Sequence, residues 1–477
     1  MKNTIGILNS AWHRYLPVRN IYRTWPLLLV AVSLQCIAEA QSVQQRPIKI
    51  REAVALGEAR YHQLKSAQYE ADAASKGVDV AKYSRLPTIE ASYQAGQATA
   101  NNLTGMFYPG VILPISGPPS THNVYSPAAE SAAGLLLNWQ ATTFGQRNAQ
   151  INIAVADAKS KKSAFNNETF RHKINILSTY LDVLLALDIL QIHQHNIERV
   201  SISLSQSRIL ANTGIKPGVD TALFLSELSK AKIDYLNAQN QLETKQWMLA
   251  ALIVTDSLPV PTDTGFLNHL PLNTLSNDSS FATHPLMQYA QSQYDLSRSK
   301  ELYIKKSYMP KLCLWGTGFA RGSGFQPDGS VKTWDGLGLS RYNYGAGLQL
   351  SFSILKYGEV KQQLQQQELV TKAAQETLQQ NQETLTVQQR IANTTFINSV
   401  AVATESQQQL VSGKYAFSAM QLRYNTGLVD FSDLIQSQYN LLKAELDVKK
   451  ACWEVWKSLL LQAAVKGDEL IFLNEIR

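Results

Sequence analysis

One short motif occurs twice in this sequence. Leu422–Asp447 reads LRYNTGLVDFSDLIQSQYNLLKAELD, and Ile209–Gln239 reads ILANTGIKPGVDTALFLSELSKAKIDYLNAQ. Each carries Asn-Thr-Gly, a short break with Val-Asp, and then a run rich in Leu, Ala, Lys and Glu. A glycine just past a helical pattern supplies the left-handed residue that ends a helix. An aspartate at the head of the next run is placed to accept its free N–H groups. The motif therefore predicts a helix that stops, turns and returns, with tips at 212–220 and 424–430 and Asp220 and Asp430 as caps.

Upstream of the first turn, residues 146–211 contain neither proline nor glycine. A continuous helix of that length would extend about 100 Å. Ile174, Leu177, Leu181 and Leu184 step by three and four, the seam of a heptad repeat. The run before the second turn is broken only by Gly413. Its glutamine-rich opening, VKQQLQQQELVTKAAQETLQQNQ, reads either as low complexity or as a helix with one narrow seam, since Leu364, Ala374, Leu378 and Leu385 keep helical spacing.

Gly145 precedes Gly358 by 213 residues, and Gly214 precedes Gly427 by the same 213. Pro87 and Pro310 each follow a helical run and open an alternating one. Four landmarks in one order argue for a duplicated chain, with repeats at 41–259 and 260–477. Before each long helix the period changes from 3.6 to 2. Ile89, Ala91, Tyr93 and Ala95 alternate with Thr88, Glu90, Ser92 and Gln94, and Leu348, Leu350, Phe352 and Ile354 alternate with Gln349, Ser351 and Ser353. Strands are expected near 87–97, 132–144, 310–320 and 343–356. The third is ambiguous, because Cys313 and Trp315 fall on the face opposite Leu312 and Leu314. Half-apolar strands of this length suit an outer-membrane barrel wall or a soluble sandwich; the long helices favour a spanning object. The connectors 97–131 and 321–342 read as long polar loops beyond a membrane.

The N-terminus has Lys2, Arg14, Arg19 and Arg23 ahead of an apolar run from Trp25 to about Ala38, then Ala38-Glu39-Ala40. That is an export signal over 1–40; a lipoprotein signal modified at Cys36 is the rival reading, weakened by Ser33-Leu34-Gln35. The formal charge of +7 falls to +4 once the signal's four basic residues and Glu39 are removed, too mild for a nucleic-acid surface. Cys313 and Cys452 lie in segments of different character, so no disulfide framework is expected. No apolar stretch of 18 residues remains, so membrane entry would have to be through strands. GTGFARGSG opens no helix and is no phosphate loop. His193 and His195 point to different sides of a helix, so no metal site is expected. No catalytic cluster and no cofactor motif is present.

The residues IKIREAVALGEARYHQLKSAQYEADAASKGVDVAKYSRLP, their second copy THPLMQYAQSQYDLSRSKELYIKKSYMP, the junction LQLSFSILKYGE and the turn LRYNTGLVDFSDLIQSQYNLLKAELDVKKA together resemble the TolC-like outer-membrane efflux proteins. The resemblance spans nearly the whole mature chain. It implies a mostly α fold with a β-barrel part, in which duplicated strand-hairpin and long helical-hairpin halves build a homotrimer. Four strands per chain would close a 12-stranded outer-membrane barrel, continued by a periplasmic α-helical tunnel. Such a channel passes substrates from an inner-membrane pump, through a periplasmic adaptor, to the exterior. The alternative is a periplasmic coiled-coil scaffold that never inserts into outer-membrane lipid. The family's adaptor-docking tips map onto Asn212, Thr213 and Gly214 and onto Arg423, Tyr424, Asn425, Thr426 and Gly427. Asp433 stands where the family narrows its tunnel with an acid, unless it serves as a capping-box acid for Asp430; the next such position is Gln436. Val429 stands near the place of the family's basic latch, a departure from the pattern.

Overall fold

The computed structural model describes residues 45–99, 101, 122–271, 281–326 and 330–476. The export signal, Cys36 and most of the first connector lie outside the described residues. In chain order the elements are β1 (Gln45–Ile48), α1 (Ile50–Arg60), α2 (His62–Tyr83), β2 (Thr88–Ala98), β3 (Ala128–Thr142), α3 (Gln146–Asn212), α4 (Val219–Ile253), β4 (Leu258–Pro261), α5 (Pro285–Ser307), β5 (Lys311–Ser323), β6 (Arg341–Ser351), α6 (Tyr357–Asn425), α7 (Phe431–Lys466) and a closing turn α8 (Leu470–Leu473).

The glutamine-rich segment is helix throughout. α3 and α6 run for 67 and 69 residues, each about 100 Å long. Both end alike. Gly214 (φ 74°) and Gly427 (φ 78°) are left-handed. The N–H of Ile215 donates to the Leu210 carbonyl at 3.0 Å, and that of Leu428 to the Arg423 carbonyl at 2.9 Å. These bonds span the turn and satisfy carbonyls the helix leaves open, and a side chain at either glycine would meet the left-handed backbone penalty. At the other end the two copies differ. Gly145 (φ 98°) is the left-handed cap of α3, whereas Gly358 sits inside the first turn of α6 with open space beside it.

A long helix buries little by itself, so each is flanked along its length. α2 and α5 lie along α3 towards the sheet, tied by Lys161–Glu70 at 2.9 Å and Lys159–Asp295 at 3.0 Å. The returning helices α4 and α7 pair with α3 and α6 towards the tips, and Arg199 on α3 grips Glu445 on α7 with two bonds of 2.7 and 2.6 Å. The main core is at the waist. There β1 pairs in parallel with β4, Gln45 opposite Leu258 and Ile48 opposite Pro261, so that residues 213 apart become neighbours. Ile176, Leu177, Tyr180 and Leu181 of α3 pack there with Trp456 and Leu459 of α7 and Phe472 of α8. Trp456 donates to the His269 carbonyl at 3.1 Å and meets Phe266 and Phe472 edge-on.

One expectation is corrected here. α3 does contain an 18-residue window with mean hydropathy 1.4, long and apolar enough for a bilayer crossing by composition. Ile176, Leu177, Tyr180, Leu181, Val183 and Leu184 of α3 are core residues of the waist, which accounts for much of the helix's apolar character.

The other four strands form one antiparallel sheet in the order β2-β3-β5-β6. β3 begins earlier than expected and β6 ends earlier, at Ser351; Ile354 falls in a 3₁₀ turn leading into α6 rather than on the strand. β3 and β5 pair from Glu130–Ser323 to Thr142–Leu312, joining the two halves of the chain in one wall. β2 and β6 are left as open edges.

Candidate functional site: the barrel wall and the paired tips

Register sorts the strand residues onto two faces, because side chains alternate along each strand and line up across it. Ile89 pairs with Leu137, Leu137 with Gly316 and Gly316 with Ala346. The face built on this row carries Tyr93, Leu135, Trp139, Leu312, Leu314, Tyr344, Leu348 and Leu350. The opposite face carries Glu90, Gln94, Glu130, Asn138, Thr317, Arg321, Arg341 and Asn343. The ambiguity in β5 is thereby resolved: Leu312 and Leu314 join the apolar face, while Cys313 and Trp315 join the polar one. Trp315 lies against Gly345 and Gly347, where a Cβ at Gly347 would stand only 2.9 Å from the indole. Glycines opposite the tryptophan let it lie flat on the wall.

The apolar face has the make-up of a lipid-facing band. Tyr93, Tyr342 and Tyr344 stand towards the loop end. Trp139 and Phe352 stand towards the helices, Trp139 donating to the Arg85 carbonyl at 2.9 Å and Phe352 meeting Tyr308 edge-on at 4.9 Å. From Tyr342 to Phe352 is ten residues, about 34 Å along a strand and roughly 26 Å along the membrane normal at a tilt of 40°. That height matches an outer-membrane barrel's apolar band with its two aromatic girdles.

About 100 Å away the two hairpin tips touch each other. The Tyr424 hydroxyl donates to Asp220 Oδ2 at 2.9 Å, and both side chains are buried. Burial, and then the bond to Asp220, push the Tyr424 hydroxyl up to about 12, so it stays protonated. Phe224 meets Tyr424 and Phe431 edge-on at 5.8 and 4.7 Å. Lys216, from the first tip, donates to the Val429 carbonyl of the second at 2.8 Å and lies 3.9 Å from Asp430 and 5.1 Å from the Tyr424 ring centre.

Several sequence expectations are revised by this geometry. Asp220 and Asp430 make no side-chain cap bonds. Asp220 is turned inwards to Tyr424, and Asp430 lies at the surface beside Lys216. Tyr424 is a contact between hairpins and presents no docking surface. A cation does reach Val429 from the other hairpin: Lys216 lies 213 residues before it and donates to that residue's carbonyl. Sequence reasoning missed this lysine, although the duplication already aligned it with Val429. Asn212, Thr213, Gly214, Arg423, Thr426 and Gly427 are exposed, and Asn425 is half-buried. Asp433 and Gln436 are exposed on the first turns of α7, Gln436 donating to Asn440 at 3.1 Å. His193 is half-buried on α3, its pKa lowered by burial. Among the described residues no three His, Cys, Asp or Glu side chains group as a metal site.

The family model of outer membrane efflux proteins matches residues 54–254 and 321–452. The chain belongs to the outer membrane efflux protein family. It is accordingly an efflux channel protein of the outer membrane with a large periplasmic helical part, and it is not an enzyme. No curated protein matches it in sequence. Solved structures with the same fold include CusC (13% identity, TM-score 0.72, 88% of this chain and 92% of that one) and the CmeC outer membrane channel of Campylobacter jejuni (15%, 0.70, 88% and 85%). A third is the open state of the MtrE outer membrane channel of Neisseria gonorrhoeae (15%, 0.69, 88% and 89%). Family membership and the aromatic-rimmed apolar face exclude the scaffold that never inserts.

The Tyr424–Asp220 bond holds the efflux protein's tips together, and removing the hydroxyl strands a buried carboxylate. Tyr424→Phe should weaken the tip by about 1–3 kcal/mol. The expected result is faster amide exchange around 209–224 and 417–434 with exchange at the waist unchanged; equal exchange at both tips in the two proteins would contradict the assignment.

Proposed function

We propose that three copies of this chain form the exit duct of a tripartite efflux or type I secretion system. The observation that carries this reading is the sheet: four strands with an apolar outer face, a polar inner face and two open edges. A four-stranded sheet cannot satisfy its edges in lipid. Joining β2 of one copy to β6 of the next closes a 12-stranded barrel, and the helical hairpins extend from it across the periplasm.

The tips suit a periplasmic adaptor that links the duct to an inner-membrane pump. Ile209 and Ile215 flank the first Asn-Thr-Gly, and Leu422 and Leu428 flank the second; all four are exposed. Each turn thus offers polar Asn212, Thr213 and Gly214, or Arg423, Asn425, Thr426 and Gly427, between two apolar side chains. Gly427 stands 3.8 Å from Ile215 at its virtual Cβ, and its φ of 78° resists a β-branched side chain. Gly427→Val should abolish export while trimers still reach the outer membrane. Export at the parental rate with normal trimer levels would overturn the docking role.

Asp433 is exposed beside the turn and Asp430 makes no cap bond, which favours a pore-facing acid over a capping box. Three copies around an axis place three carboxylates at the narrow end, where they attract cations. In a planar bilayer, Asp433→Ala should lower cation preference and weaken block by multivalent cations. An unchanged reversal potential and unchanged block would move the constriction elsewhere on α4 or α7.

A further inference from the structure

The polar face of the sheet carries a charge arrangement at its outer end that adaptor docking and tip closure do not use. Arg321 on β5 is paired directly with Arg341 on β6. Like charges directly opposite each other on one face of a sheet are destabilising. Neither guanidinium makes an ion pair among the described residues. Arg321 is held over the Phe319 ring at 5.3 Å, one step further along the same face. Both arginines line a cavity of about 1000 Å³ together with Gln94, Glu130, Asp335 and Gln326, whose amide donates to the Asp335 carboxylate at 3.2 Å. Glu130 pairs with Ser323, one level further out, and is thus a diagonal neighbour of Arg321 rather than its partner.

We infer that this layer is an anion-binding ring at the mouth of the channel, selecting small multivalent anions, such as polyphosphates and polycarboxylates, among solutes in transit. The inference rests on the trimeric barrel proposed above. Two arginines per chain give six at one height. A 12-stranded wall with strands 4.7 Å apart and tilted by 40° has a radius of roughly 12 Å, comparable to the screening length of about 8 Å at physiological salt. The ring's field therefore reaches much of the opening. The repulsion between Arg321 and Arg341 is relieved when an anion lies between them, and guanidinium pairs bind phosphate and carboxylate oxygens in a forked geometry. The three Glu130 carboxylates, one level outwards, oppose anion entry from the exterior and set the affinity.

The test uses the full-length trimer in a planar bilayer, with sodium tripolyphosphate added to the compartment facing the barrel mouth. The wild-type current should be blocked, and the block should weaken as the supporting salt is raised. Arg321→Gln with Arg341→Gln should raise the half-blocking concentration at least tenfold while conductance in monovalent salt persists. Arg321→Lys with Arg341→Lys, which keeps the charge but loses the guanidinium fork, should give a half-blocking concentration between those of wild type and the glutamine pair. Glu130→Gln should move the half-blocking concentration the other way, below wild type, which tests the ring even if the double glutamine variant fails to assemble. Equal block in wild type, the glutamine pair and Glu130→Gln would overturn the ring while leaving the channel reading intact. A chain that forms no trimer in the outer membrane would overturn the barrel reading and the ring with it.

Discussion

In a bilayer core no backbone N–H or C=O can go unpaired, since water is absent and each unsatisfied group costs several kcal/mol. The sheet β2-β3-β5-β6 violates this in a single copy. Its apolar face and aromatic girdles belong in lipid, yet β2 and β6 each present an open row of backbone groups. The proposed trimer resolves this by edge-to-edge pairing between copies, and other features follow from it. Each chain supplies one third of a wall. The long helices then surround a common axis, which is why hairpins with narrow seams leave apolar residues such as Ile391, Val402 and Tyr415 exposed in the isolated protomer.

Duplication supplies the second constraint. Equivalent residues of the two halves meet at two levels of the helical part: Gln45–Ile48 pairs with Leu258–Pro261 at the waist, and Lys216 reaches Val429 at the tip. Equivalence is not identity, however. Asp220 aligns with Asp433, but one is buried against Tyr424 and the other is exposed.

Much of the fold was legible in the sequence because its signals are local. The turn Asn-Thr-Gly, the shift from helical to alternating period and the 213-residue offset of Gly214 and Gly427 depend only on neighbours along the chain. What was not legible depends on partners distant in sequence. Whether Leu314 or Trp315 faced lipid was settled by β3 and β6, through the pairs with Trp139 and Leu348 and with Gly347. An aspartate at a helix start reads as a cap, and nothing near Asp220 announces a tyrosine 204 residues away. The arginines of the mouth are two unremarkable strand residues until register sets Arg321 opposite Arg341.

Closure of the barrel stands on the pairing of β2 with β6 of a neighbouring copy, and cysteine cross-linking in outer membranes measures it directly. Ser92 on β2 and Asn343 on β6 share the inner face, linked across the sheet through Gly134 and Phe319, and strand tilt staggers the pairing between copies by a few residues along β6. In a Cys313→Ser, Cys452→Ala background, Ser92→Cys combined in turn with a cysteine at each inner-face position of β6, Arg341, Asn343, Gly345, Gly347 and Gln349, should yield covalent dimers and trimers on non-reducing gels at the paired register, with none from any single cysteine. Oxidised membranes that hold only monomeric chain, across several neighbouring cysteine registers, would contradict the closed trimeric barrel.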